Sequence, residues 1–160
     1  MLVDRVLTDD PDLGELIARR AGVTYNPKVD HNFAHVKEKM TDAGDSLVHT
    51  EQVLLGGVCY NHFTHESIQI HSASWHWHWA NRLMIYLAFD YPFNQLRVKR
   101  LFGMVPESNQ HAQVLNMKLG FKPVARIEGV FRHGEACVVM RMDREDCKYL
   151  GIKVPGITIN

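Results

Sequence analysis

Net charge, paired cysteine and long apolar runs are all scarce in this chain. Eighteen basic side chains balance eighteen acidic ones, so no net field draws the protein onto nucleic acid or an anionic membrane. Cys59, Cys137 and Cys147 are odd in number and far apart, a pattern of reduced thiols rather than of a disulfide frame. No apolar stretch nears the roughly 20 residues needed to cross a bilayer. The opening Met1-Leu2-Val3-Asp4-Arg5 lacks the basic-then-apolar order of a secretory signal, and the expectation is a cytoplasmic protein. Repeats, low-complexity tracts and linkers are also missing, which leaves one domain over residues 1–160, with 148–160 a tail of unassigned placement. At 46% apolar and 22% charged residues the composition is that of an ordinary soluble domain with one core.

The patterning that is present predicts an α/β protein. Leu2 to Leu7 reads as a first strand. Asp10-Pro11-Asp12 reads as a cap followed by proline in the first turn, opening a helix through Arg20 that Gly22 ends. Val29, Phe33, Val36 and Met40 recur at helical spacing and predict a second helix over 27–43. Val48 to Val53 and Leu54 to Asn61 read as paired strands, and Ser67 to Ser74 as another, with Thr64-His65-Glu66 turning between the last two. Leu83, Met84, Leu87 and Ala88 share a helical face, and Pro92 should stop or kink that helix near Tyr91. Arg97 to Val105 alternates as a strand. A helix capped at Ser108 or Asn109 then runs to Gly120, and Val124 to Phe131 with Ala136 to Met142 forms a hairpin over Arg132-His133-Gly134. Helices alternating with strands in the second half predict a mixed sheet with helices on both faces.

The stretch from Asn94 to Phe121 carries the most specific signal: a strand, then Asn109-x-x-Ala112 at a helix start, then Lys118-x-Gly120-Phe121 at its exit. This resembles the GNAT superfamily of acyl-coenzyme A-dependent N-acyltransferases. The likeness covers about residues 54 to 145 and is nearest to Rim-type N-terminal acetyltransferases and to small GNAT proteins of phage and prophage genomes. It implies a GNAT fold, a mixed central sheet with one splayed strand pair. Taken alone, residues 109–121 are only a well-capped amphipathic helix, and most such helices are structural.

The resemblance implies acetyl-coenzyme A as cofactor. Its pantetheine arm would lie between the strands Ser67–Ser74 and Arg97–Val105, paired as an added strand. The small residues Ser72, Ala73 and Ser74 suit a close approach of that arm, or simply a crowded sheet. The phosphates would sit at the helix start Ala80-Asn81-Arg82, where backbone donors are free and arginine matches phosphate geometry. Asn109 and Ala112 would complete the grip. The chain departs from the family twice. Between Ser74 and Arg82 it has no glycine where members carry a glycine-rich phosphate turn. It also has Asn116 where members often carry a tyrosine that protonates the leaving thiolate, and asparagine can donate a hydrogen bond but not a proton.

An amine of pKa near 10 must lose a proton before it attacks. Glu66 and His71 are the candidate bases, each equally readable as an ordinary surface carboxylate or strand histidine. Ten histidines raise the question of a metal, but His62-x-x-His65 and His76-x-His78 lack the partners of a tetrahedral set, and none is expected. Trp75, Trp77 and Trp79 would share one face of an extended segment. There they could stack on adenine, line an acceptor pocket, cover a sheet edge or make a homodimer contact. The reading is therefore acetyl transfer from acetyl-coenzyme A to a primary amine in a ternary complex, with no nucleic acid or membrane partner. The acceptor would be a protein N-terminus or lysine first, a small polyamine or aminated metabolite second. The rival is a GNAT-shaped binding module that has lost catalysis, which the missing glycines and Asn116 favour.

Overall fold

The structure, a computed structural model, describes residues 2–42 and 47–152, with side chains at 42 and 47–50 outside the description. The tail Val154-Pro155-Gly156 lies outside the described residues. Seven strands and three α-helices follow in the order β1 (Leu2–Thr8), α1 (Pro11–Ala21), β2 (His31–Asp42), β3 (Leu47–Asn61), β4 (Ser67–Ser74), α2 (Arg82–Asp90), β5 (Arg100–Pro106), α3 (Gln110–Leu119), β6 (Lys122–Ile127) and β7 (Cys137–Asp143). The strands pair in the order β1-β2-β3-β4-β5-β7-β6, a mixed sheet. No described helix is long and apolar enough to cross a membrane. Among the described residues two compact units emerge, one of 2–60 with 71–88, the other of 61–70 with 89–152.

In the first unit, α1 forms where the sequence predicts. The Asp10 carboxylate accepts from the Leu13 N–H at 3.0 Å, Pro11 occupies the first turn, and Gly22 ends the helix in the left-handed region. Leu13, Ile17 and Ala18 on its inner face pack against Ala34 and Val36 of β2, Cys59 of β3 and Ala73 of β4. Burial of side chains such as Leu13 and Ile17 contributes about 1.5–3 kcal/mol each.

The predicted helix over 27–43 is instead β2, antiparallel to both β1 and β3. The reason is physical. Asn32 to Val36 are all buried, because both faces of the strand are covered. Apolar residues then stand at odd and even positions alike, and register shifts at His35/Val36 and Lys39/Met40 break what alternation remains. Such a strand imitates a helical period. The two strands expected across 48–61 are one long β3, and both halves find their partner in β2.

Gly56 and Gly57 of β3 mark where the sheet is covered most closely. A Cβ on Gly57 would lie 2.5 Å from the Phe33 carbonyl and run into Ile17 of α1. One on Gly56 would lie 2.6 Å from the Cβ of Trp79. Side chains at successive strand positions point to opposite faces, so the pair admits close neighbours on both. On the Gly56 face, the Tyr60 hydroxyl donates to the Ala88 carbonyl at 2.8 Å.

In the second unit, β5 pairs with β7 along its whole length, Arg100 to Pro106, and β7 pairs in turn with β6. Helix α3 begins at Asn109, whose side-chain oxygen accepts from the Ala112 N–H at 3.1 Å. It ends at Gly120, whose φ of 111° suits a residue without a Cβ. Phe121 then turns inward, 6.3 Å from the Phe89 ring. Past Asp90 the chain makes one wide helical turn, Tyr91–Gln95, containing Pro92. The strand expected from Arg97 starts later, at Arg100, after Arg97 takes a positive φ of 58°. The closing hairpin is present, but β6 is shorter than predicted and residues 128–136 link it to β7 through a tight turn at Arg132–Gly134.

Candidate active site

The ladder between β4 and β5 is short. It joins Ser67–Gln69 to Arg100–Phe102 in parallel and extends no further among the described pairings, whereas β5 stays bonded to β7 as far as Pro106. The other edge of β5, from Gly103 to Val105, therefore presents backbone groups without a described strand partner, while the Pro106 carbonyl is taken by the Asn109 N–H at 2.9 Å. Strand edges of this kind pair with extended, amide-bearing ligands.

Asn116 of α3 sits over this segment. Its amide nitrogen would lie 3.6 Å from a Cβ placed on Gly103, and it donates to the thioether sulfur of Met140 at 3.7 Å. An asparagine that already donates to one sulfur has the geometry to donate to another. Asn109, by contrast, spends its side-chain oxygen on Ala112, so both residues of the sequence motif serve the start of α3.

The segment before α2 departs from the expected extended form. Residues 75–80 are bends and turns, and the three tryptophans do not share a face. Trp75 lies under the Arg20 guanidinium at 5.0 Å, Trp77 is 81% exposed, and Trp79 packs over Gly56. Asn81 caps α2, its side-chain oxygen accepting from the Met84 N–H at 2.9 Å. Its side-chain nitrogen faces Nε2 of His35 at 3.3 Å, and Nδ1 of His35 bonds the Trp79 carbonyl at 2.8 Å. The N–H groups of Arg82 and Leu83 have no intrahelical acceptor, as at any helix start, and Arg82 and Ala80 are exposed. Free donors beside an exposed guanidinium fit a phosphate, so the site suits one even without glycines.

Alternation separates the three small residues of β4. Ala73 is buried in the core beneath α1, whereas Ser72 and Ser74 are exposed on the other face. Adjacent strand residues face opposite ways, so only the two serines could add side-chain contacts, while the close approach of a ligand to the backbone of Ser72, Ala73 and Ser74 stays a proposal. His71 is buried on the same side as Ala73. Glu66 is exposed and pairs with Lys99 at 2.8 Å, and that ammonium holds its carboxyl below the usual carboxylate range. A carboxylate so stabilised is a weaker base. All three cysteines are free thiols, and among the described residues no group of three His, Cys, Asp or Glu side chains converges to hold a metal.

His35 is the residue that sequence reading passed over. Two polar residues, Asn32 and His35, inside the buried run 32–36 were its signal, concealed by the helical reading of that run.

No family model matches the sequence, and no curated protein matches it. Solved structures do. A spermidine N-acetyltransferase SpeG chimera from Vibrio cholerae and hSSAT is 19% identical, with a TM-score of 0.61 over 93% of this chain and 98% of that one. Mutant forms of the spermidine/spermine N-acetyltransferase SpeG from Vibrio cholerae are 18% identical, with a TM-score of 0.61 over 94% of this chain and 98% of theirs. A GNAT-family acetyltransferase from Bacillus anthracis is 13% identical, with a TM-score of 0.53 over 71% and 66%. The likeness extends over most of the chain: it has the fold of the GNAT acetyltransferases.

Proposed function

We propose that the protein is an N-acetyltransferase that moves an acetyl group from acetyl-coenzyme A to a primary amine by direct attack in a ternary complex. The observation that carries this reading is the edge of β5 from Gly103 to Val105, which has no described strand partner, with the Asn116 amide over Gly103. Ser72, Ser74 and the start of α2 at Ala80, Asn81 and Arg82 are the remaining candidates for holding the cofactor, Arg82 by direct charge.

Acetyl-coenzyme A supplies an acyl carbon already activated as a thioester. The chain has two tasks, to take a proton from the amine and to ease the departure of sulfur. Asn116 serves the second, since its amide N–H stabilises negative charge on sulfur without surrendering a proton. For the first, His71 and Glu66 stay the candidates: Lys99 weakens the carboxylate as a base, and the buried His71 would act through water. The SpeG neighbours bear names for acetylation of spermidine and spermine, which supports an amine acceptor here. A small polyamine, the second acceptor expected from the sequence, is therefore tested beside a protein N-terminus or lysine.

Calorimetry with acetyl-coenzyme A followed by turnover on a panel of amines tests the reading. Micromolar binding and acetylation of at least one amine are expected, and absence of binding overturns it. Binding without turnover on any amine favours the second reading, a GNAT-shaped module, which Asn116 in the tyrosine position supports.

A further inference from the structure

A chain without glycine between Ser74 and Arg82 needs another way to hold the turn into α2. His35 supplies it. It is 2% exposed on β2, next to a register shift of the strand, and its ring reaches the turn at two points. The Trp79 carbonyl can only accept, so Nδ1 of His35 carries the proton and donates to it at 2.8 Å. An independent constraint gives the same tautomer. The Asn81 oxygen accepts from the Met84 N–H, so its amide nitrogen is the side that meets Nε2, and Nε2 must accept. Two hydrogen bonds thus agree on the tautomer, with the proton on Nδ1 and Nε2 as the acceptor. Asp4 Oδ1 stands 3.6 Å from Nε2, at the rim of a groove of about 470 Å³ that His35 and Asn81 line with Lys37, Glu51, His76 and His78.

We infer that His35 is a positioning residue, which sets the start of α2 through Trp79 and Asn81 so that the free N–H groups of Arg82 and Leu83 meet the phosphates of the cofactor. This rests on the acetyltransferase reading above. Glycine lets such a turn adopt its shape at an entropic cost on folding; here a buried ring fixes the shape in advance. Without the ring, the Asn81 amide is free to rotate, the cap on Met84 loosens, and the two donors lose their shared aim.

The test compares the unaltered protein with His35→Ala, Asn81→Ser and the double variant. Serine still caps Met84 but is too short to reach His35. Each single change should raise the Kd for acetyl-coenzyme A about tenfold, the loss of one hydrogen bond's worth of aim, and the double variant no more than either alone. For His35→Ala the KM for the cofactor should rise while kcat at saturation stays within about twofold, since no reacting atom is touched. Two readouts need no cofactor. Nitrogen-15 spectroscopy should find His35 protonated at Nδ1, and amide exchange at Met84 should quicken about tenfold in His35→Ala. If His35→Ala does not fold, Asn81→Ser carries the comparison. Unchanged Kd in the folded variants overturns this inference alone. No binding by the unaltered protein overturns the acetyltransferase reading and this inference together.

Discussion

Helices α2 and α3 both begin on an asparagine, and the two asparagines work in different ways. Asn109 is exposed, and the bond to Ala112 is the only one described for its side chain. Asn81 makes the same kind of bond to Met84, but its amide also meets a histidine buried in a neighbouring strand. One helix start is a local affair, written within four residues. The other is wired to the sheet, and its geometry depends on a residue 46 positions away in sequence. Identical cap chemistry therefore does not imply identical sensitivity to change.

The largest expected effect tests that wiring. His35→Ala leaves the Trp79 carbonyl and the Asn81 amide without their partner, at about 1–3 kcal/mol for each unsatisfied group. Equilibrium denaturation should register a loss of about 3 kcal/mol, and a loss under about 1 kcal/mol would abolish the contrast between the two caps. Gly56→Ala attacks the same turn from below. Its new Cβ would sit 2.6 Å from Trp79, and overpacking of this kind costs about 2 kcal/mol by the same measurement. Gly103→Ala in β5 is the control, because its nearest side-chain neighbours stand at 3.6 and 4.0 Å, an ordinary contact, and its stability should change by less than about 0.5 kcal/mol.

Smaller again is Asn109→Ala, with about 1 kcal/mol expected for an exposed cap. A thermal melt suffices to check that it costs less than His35→Ala. The smallest effect at ordinary pH concerns the core beneath α1. Burial pushes the Cys59 thiol from 9.0 up to about 12, so the folded state keeps the proton that the unfolded chain gives up. Its contribution is complete below pH 9 and is lost as pH rises through about 12. At pH 9.0, where the unfolded thiol is half ionised, the loss should be about 0.4 kcal/mol and should grow steeply above that. Cys59→Ala should flatten this alkaline decline, and an equal decline in the variant would assign it elsewhere.

These contrasts also explain what could be read from the sequence. Helices α1 and α3 were legible because their start and stop signals are local, Asp10 with Pro11 and Gly22, then Asn109 and Gly120. Strand β2 was not, since covering on both faces erased its alternation, and with it went the only clue to His35. The three tryptophans failed as a group for a related reason. Their spacing assumed an extended chain, whereas the turn held by His35 sends each ring to a different place. For the candidate site, the Asn109 cap could be anticipated, whereas the placement of Asn116 over Gly103 depends on how α3 packs on the sheet and could not. The separation of Ala73 from Ser72 and Ser74 follows from strand geometry alone and could have been anticipated too.

That dispersal of the tryptophans gives the chain a set of built-in optical probes. Trp77, 81% exposed, should be the first to be quenched by acrylamide. Trp75, shielded on one side by the Arg20 guanidinium, should respond to salt and to charge on α1. Trp79 lies on Gly56 with its carbonyl bonded to His35, so its emission reports the entrance to α2 directly and without a label. A single-tryptophan protein retaining only Trp79 would turn any rearrangement of that entrance into a change of colour.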